Sequence, residues 1–495
     1  MNDAKTAEAL AQKAQRLLER GEDDAALDAA EAALKLAPGY AFAALLKAQA
    51  ARALLRFEEA AAAFEAVLRA APNLPGVRVN LANTYAELER LDEAEAQLKE
   101  AIRLNPSLAA AHASLGSVYL RMERLELVET PSRRALELEP DLAAAHLNLA
   151  GILTRSNPQE AQAHRDAVYK RQQVFVEAMP GAAKTALILA TAGTGNTPFQ
   201  FLLGRRRYTQ IKWIIQYAPE GQASQLPPYD FVFNAVADAD VADAAHEAVR
   251  RFADGCTKPW LNRPDAIART TREGLAKILR GIDGVVIPAV LRHEANGGSL
   301  ADAVARAEIA FPLIVRPAGR HGGEGMARIE TADALRAVRS DEASYVTRYV
   351  EYRSEDGWYR KFRVIFVDRA PYPYHLAIGR NWLLHYKSAY MEDDSARRSE
   401  EERFLSDPEA ALGDKAWAAL HTVAQRLDLD YAGIDFSLLP DGRVLFFESN
   451  ATMLVHPERE ARFAYKNPAA DAIFAAFDAM VERRLSSPIS PASPR

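Results

Sequence analysis

Residues 431–453, YAGIDFSLLPDGRVLFFESNATM, place two carboxylates and a carboxamide within reach of one another. The run reads as a strand carrying Asp435, a Pro-Asp-Gly turn, and a returning strand that ends in Glu448, with Asn450 two residues on. In such a hairpin Asp435 and Glu448 can stand opposite each other, and the two-residue period of a strand puts Glu448 and Asn450 on one face. Three oxygen-bearing side chains without histidine or cysteine suit a hard cation such as magnesium, which is usually shared with nucleotide phosphates. The plainer reading makes them ordinary exposed residues beside an Asp-Gly turn.

Two further segments could serve the same chemistry. FPLIVRPAGRHGGEGMARI (311–329) is an apolar strand leading to Arg316 and then a loop with Gly319, Gly322, Gly323 and Gly325. Glycines let backbone amides approach and wrap phosphate oxygens, as a flexible lid between two strands would. SYVTRYVEYRSEDGWYRKFRVIFVDRAPYPYHLAIG (344–379) begins as an apolar strand and continues into a cation-rich one bearing Lys361 and Arg363.

The elements that must position these residues fall into two regimes. Pro38, Pro72, Pro106 and Pro140 recur every 34 residues, each closing a helix, and small residues recur in the same register at Ala48, Ala82, Gly116 and Ala150 and at Ala26, Ala60 and Ala94, a series that Val128 breaks. Amphipathic helices fill the intervals, and proline stops each second helix because it cannot continue the hydrogen-bond ladder. Over about residues 7–175 this resembles the tetratricopeptide repeat. The resemblance implies an all-α solenoid whose concave wall holds an extended peptide or a partner segment, with Gln49, Arg52, Asn83, Arg121 and Arg155 at first-helix positions that look into the groove. A platform for dimerisation or packing is the other use such an array allows.

The β-rich text that follows begins after a helix expected over 161–179, AQAHRDAVYKRQQVFVEAM, with a boundary near residue 180. The runs ALILATAG, IKWIIQY and YDFVFNAV alternate with helical or loop segments, the pattern of a small parallel sheet and hence of a Rossmann-like subdomain over 185–290. GTGN (193–196) lacks the GxGxxG spacing and reads as a tight turn. A third domain spans 291–485, and the proline- and serine-rich stretch 486–495 reads as a disordered tail. The run Arg205-Arg206-Arg207 reads as a solvated face.

With 61 Lys and Arg against 67 Asp and Glu, the net charge of −6 gives no general attraction to nucleic acid or to acidic membranes, so any anion site must be local. Hydrophobic content of 49% and charged content of 26% over 495 residues fit a soluble multidomain protein. The lone Cys256, the polar N-terminal residues and the absence of a membrane-length apolar run make the cytoplasm the expected location.

Residues 185–480 resemble the ATP-grasp superfamily, of the glutathione-synthetase-like kind, and DFSLLPDGRVLFFESN (435–450) is the most specific part of the likeness. The fold this implies is multidomain, a tetratricopeptide solenoid followed by an α+β ATP-grasp fold with the Rossmann-like subdomain ahead of it. The implied cofactors are ATP and magnesium, with Asp435, Glu448 and Asn450 holding the metal ions. The implied activity is ligation of a small-molecule or peptide carboxylate to an amine or related nucleophile through an acylphosphate, releasing ADP and phosphate.

Arg316 stands where the family usually has a phosphate-binding lysine, and Arg363 matches the arginine that faces the transferred phosphoryl group. Tyr345, Val346, Thr347, Arg348 and Tyr349 match the hinge whose backbone receives the adenine edge. Thr347 replaces the usual ribose-binding glutamate, a role left to Glu351 or Asp356. Arg272 sits in a segment leading into the central lid, at a place often basic. His375, Arg380, His385 and Lys387 come from 372–391, which belongs to the same resemblance, with His375 and Lys387 as further catalytic candidates and a satisfied core histidine as the plainer reading of His375. The competing functional reading is an interaction scaffold whose nucleotide site is degenerate, as Arg316 for lysine and Thr347 for glutamate suggest.

Overall fold

The structure is a computed structural model that describes residues 2–486, apart from 180, 205, 206, 242, 296, 321, 322, 339–341, 387, 388, 390 and 459. The chain forms two compact units, residues 1–173 and 174–495.

The first unit is five successive helical hairpins: α1 (Asn2–Glu19) with α2 (Asp23–Leu36), α3 (Ala41–Ala53) with α4 (Phe57–Ala70), α5 (Pro75–Glu87) with α6 (Leu91–Leu104), α7 (Ala109–Arg121) with α8 (Glu129–Leu138), and α9 (Ala143–Ser156) with α10 (Pro158–Tyr169). The periodic small residues are buried where helices meet. Gly116 is required there: a Cβ would lie 2.4 Å from Ser132 Oγ and 2.8 Å from Asn148 Nδ2. Leu55, Glu89 and Glu123, at the 34-residue period and in register with Gly21, all have positive φ. Each ends a first helix with a left-handed residue, after which the next amide bonds back to the helix, as Arg90 N does to Tyr85 O at 2.9 Å. Val128, fully buried where the alanine series breaks, goes with a local change of form. A short 3₁₀ turn, Leu125–Leu127, replaces the start of the fourth second helix, so α8 begins at Glu129. Of the expected groove residues, Gln49, Arg52, Arg121 and Arg155 are exposed and Asn83 is half-buried, on first helices of which α5, α7 and α9 touch in succession.

The helix expected over 161–179 stops at Tyr169, and Val174–Glu177 is instead strand β1 of the second unit. The β-branched and aromatic side chains of Val-Phe-Val pair antiparallel with the sheet, Val174 opposite Trp213, and this tertiary pairing overrides helix continuation. The first sheet adds β2 (Lys184–Ala190), β3 (Tyr208–Ile214), β4 (Phe231–Asn234) and β5 (Trp260–Leu261) in the order β1-β3-β2-β4-β5, with β2 parallel to β3 and to β4 and β4 parallel to β5. One face packs on helix Asp243–Gly255 through Val249, and the other on the C-terminal helix Asn467–Ser486 through Phe477. Arg207 is no simple solvated side chain, since it pairs with Asp478 of that last helix; Arg205, Arg206 and the tail from 487 lie outside the described residues.

Two more sheets build the rest. Strand β6 (Val285–Val286) belongs to a five-stranded sheet of order β12-β11-β13-β14-β6, and β7 (Val290–His293) to a four-stranded antiparallel one of order β7-β10-β8-β9. The latter contains β8 (Leu313–Pro317), β9 (Ala327–Ile329) and β10 (Ser344–Arg348); the former β11 (Tyr359–Val367), β12 (Ala370–Gly379), β13 (Tyr431–Leu438) and β14 (Val444–Asn450). Bulges interrupt the larger sheet at two places. Arg363 is opposite His375 but Val364 is opposite Pro373, and Asp435 is opposite Glu448 but Phe436 is opposite Phe446. The first bulge accommodates a proline that has no amide to give the ladder, and such irregularities re-aim neighbouring side chains.

Candidate functional site

The register of the large sheet sets four ionisable residues in a row across four strands: His375 on β12, Arg363 on β11, Asp435 on β13 and Glu448 on β14. Directly paired residues share a face, so the row is one continuous polar stripe. Asp435 is fully buried and held by cations. Arg363 Nε lies 2.6 Å from Oδ1 and Nη2 2.9 Å from Oδ2, and Lys361 Nζ lies 2.7 Å from Oδ2. Burial alone would raise its pKa, but Arg363 and Lys361 outweigh that and hold the carboxyl well below the usual range.

Glu448 receives the other two cations. Arg272 Nη2 donates to Oε2 at 2.6 Å and Arg316 Nη1 to the same oxygen at 3.3 Å. Its carboxyl too is held low, by Arg272 against the push of burial. Arg272 opens a short helix, Arg272–Ile278, whose N-cap Thr271 accepts from Gly274 N at 3.1 Å. Arg316 is the next-to-last residue of β8, and its Nη2 donates to Arg320 O at 2.5 Å, so the chain after the strand turns back to the guanidinium. Among the described residues, four cations thus pair with these two carboxylates, and Asp238 and Asp240 share a cavity wall with Arg272 and Arg316.

Arg272, Arg316 and Glu448 form the common wall of two cavities. One, of about 140 Å³, is mainly apolar, with Ile314, Met326, Tyr349, Trp382, Leu384 and Phe447 around it. The other, of about 30 Å³, is polar, with Asp238, Asp240, Gly319, Arg320 and Asn450. Asp238 and Asp240 were not anticipated from the sequence. They follow β4, at the carboxyl end of a parallel sheet where ligands of such sheets gather, and that position is the signal that could have found them. Tyr345 Oη donates to Asp240 at 2.5 Å and Arg292 lies 3.6 Å from it, while burial pushes the Asp240 carboxyl up.

The expected hinge residues lie on and just after β10. Tyr345 and Val346 are in the middle of β10, paired on one side with β7 and on the other with β8, so their backbone is committed to the sheet and Tyr345 serves Asp240 instead. The Arg348 and Tyr349 amides donate to Ala289 O and Pro312 O, each at 2.9 Å; the stretch from Thr347 to Val350 does line the apolar cavity. Glu351 is exposed and turns to its own chain, accepting from Tyr352 N and Arg353 N, and Asp356 pairs with Arg360. Neither acid reaches a cavity wall.

Arg363 lines neither cavity, its fork being spent on Asp435. His375 is buried against the Tyr386 ring, centroids 5.0 Å apart, with no partner for Nδ1 among the described residues; burial first, then Arg363, drives its pKa well below the ordinary value. It is a neutral neighbour of the site, away from both cavities. Gly319 and Gly323 line the polar and the apolar cavity respectively, both with positive φ, as has Gly325. Gly322 and Lys387 lie outside the described residues. His385 lines the apolar cavity, and Arg380 stacks on Trp358 at 3.6 Å.

As a metal site, the row offers donors of the right type. No group of three His, Cys, Asp or Glu able to hold a metal occurs among the described residues, so a hard cation would need Asn450 beside the two carboxylates. Asn450 Oδ1 accepts from Thr452 N at 3.0 Å and Thr452 Oγ1 at 2.8 Å, and both Asp435 oxygens are paired. Glu448 Oε1 is the one carboxylate oxygen of the pair with no bond among the described residues. The oxygen set fits magnesium provided these contacts exchange.

Comparison with known proteins bears on the helical unit. A family model described as TPR repeat matches residues 82–123. The N-terminal unit carries TPR repeats. Solved structures similar to the chain include the Pseudomonas aeruginosa protein pilF (22% identity, 34% of this chain and 77% of that one, TM-score 0.31) and YrrB, described as a TPR protein with an unusual peptide-binding site (22%, 33% and 84%, TM-score 0.29). A thermophilic TPR protein of Thermus thermophilus is similar at 25% identity over 34% of this chain and 91% of that one, with a TM-score of 0.30. No curated protein matches the chain. Among the described residues, no helix is long and apolar enough to cross a membrane.

Proposed function

We propose that the second unit is an ATP-dependent carboxylate ligase of the ATP-grasp kind, and that the TPR unit holds a peptide substrate or a protein partner for it. One observation carries the reading: an apolar cavity sized for a flat ring shares Arg272, Arg316 and Glu448 with a small polar cavity, and Lys361 lines the apolar one beside them. An adenine base suits the first compartment and a chain of phosphates suits the cations at its boundary. The setting this implies is the cytoplasm, where ATP is held.

In this reading a carboxylate oxygen of the acyl donor attacks the γ-phosphorus in line, the bond to the bridging oxygen breaks, and ADP leaves. An amine or related nucleophile then displaces phosphate from the acylphosphate. Asp435, Glu448 and Asn450 would hold magnesium, whose charge would offset that of the phosphates. Lys361, Arg272 and Arg316 orient the polyphosphate and offset charge as it spreads over the transferred group. Arg363 fixes Asp435 by its two-pronged bond, and the glycine loop from 319 to 325 shields the reacting atoms from water.

Screening carboxylates for ADP release, then labelling the active one with heavy oxygen, tests the route: one label passes to inorganic phosphate. Label in AMP, or none transferred while product forms, contradicts it. The rival reading, a TPR scaffold with a non-catalytic nucleotide site, draws on the fully paired oxygens of Asp435; binding of ATP with no turnover under any carboxylate would favour it. For the groove, removal of the repeats should raise KM for the acyl or amine substrate far more than KM for ATP.

A further inference from the structure

We propose that the cations of this site lock its carboxylates against a metal ion arriving alone, and that a polyphosphate anion releases them, so that nucleotide enters first and metal second. The inference rests on the nucleotide reading and specifies how its two ligands depend on each other.

Asp435 has no exposed surface, and each of its oxygens already accepts from a cation. Glu448 gives one oxygen to two arginines. A divalent ion approaching this pair meets four cations and must displace at least one to gain Asp435, while shedding its own tightly held water. The occupied oxygens of Asp435 therefore oppose metal alone. A triphosphate offers Lys361, Arg272 and Arg316 oxygens that can replace those they give up.

The structure also separates cations that can move from one that stays. Lys361, Arg272 and Arg316 line the apolar cavity, within reach of a ligand there. Arg363 lines neither cavity and grips Asp435 through two nitrogens. A lysine's single ammonium on a flexible stem surrenders one bond, whereas a bidentate guanidinium surrenders two at once. Lys361 is thus the movable lock on Asp435, and Arg363 keeps the freed carboxylate aimed.

The test uses the full chain, with free manganese followed by electron paramagnetic resonance and tripolyphosphate binding followed by calorimetry in EDTA. Tripolyphosphate should bind wild type without metal. Manganese alone should bind Lys361→Met about tenfold more tightly than wild type, and Lys361→Arg no more tightly than wild type. Equal manganese affinity in wild type and Lys361→Met, or tripolyphosphate binding that requires metal, overturns the proposal. If Lys361→Met melts early, tripolyphosphate binding to wild type in EDTA still decides it. Failure of ATP and tripolyphosphate to bind with or without metal would instead count against the nucleotide reading itself.

Discussion

Replacing Glu448 by Gln keeps the side chain's shape and removes its charge from between Arg272 and Arg316. The two contacts are 2.6 and 3.3 Å long, and the three side chains are 23%, 19% and 11% exposed, so the pair is neither at the surface nor fully enclosed. Removing one partner of a buried ion pair costs about 3–5 kcal/mol, and an exposed pair contributes under about 1 kcal/mol. This geometry places the loss at roughly 2 kcal/mol, or a fall of about 3 °C in the melting temperature of a unit this size. The ligand effect has the opposite sign. With a repelling carboxylate gone, ATP in EDTA should bind about tenfold more tightly, while magnesium should no longer strengthen its binding. Differential scanning calorimetry and titration calorimetry read the two effects. An unchanged melting temperature together with unchanged ATP affinity in EDTA would refute the reasoning.

Gly116→Ala should destabilise the TPR unit by roughly 1–3 kcal/mol, because its Cβ meets Ser132 and Asn148, and Asn148 must then release Ala113 O; urea unfolding followed by circular dichroism measures this. Glu123→Gly, at a left-handed position, should stabilise the same unit by roughly 0.5–1 kcal/mol, read as a higher urea midpoint. His164 is packed with its Nδ1 2.8 Å from that of His146, and burial followed by the His146 charge lowers its pKa. Its folded pKa lies below the unfolded value near 6.5, so the stability it contributes is present above that pH and is lost as pH falls towards the lowered value. His164→Gln should flatten the pH dependence of unfolding as pH falls below the unfolded value near 6.5.

Much of this arrangement is legible in residue spacing. The 34-residue period carries the hairpins because each repeat reuses one packing solution, and a Pro-Asp-Gly turn between acids thirteen positions apart is enough to set Asp435 against Glu448. What spacing does not carry is contact between distant segments. Tyr345 reads as part of a hinge until the fold brings Asp240 to it across 105 positions. Local sequence shows the charge of Arg363 and Lys361 and not the carboxylate that pairs with both. Val174–Glu177 continues an amphipathic helix on paper, since its strand pairing depends on residues almost forty positions away.

The central claim, that the second unit binds ATP across the two joined cavities, is tested most directly by a crystal structure of the full chain with magnesium and a non-hydrolysable ATP analogue. The account predicts the base between Ile314, Met326 and Phe447, and phosphate oxygens within hydrogen-bond reach of Arg272, Arg316 and Lys361, with Lys361 withdrawn from Asp435. A nucleotide bound elsewhere, or phosphates placed away from these cations while Lys361 remains on Asp435, would contradict it.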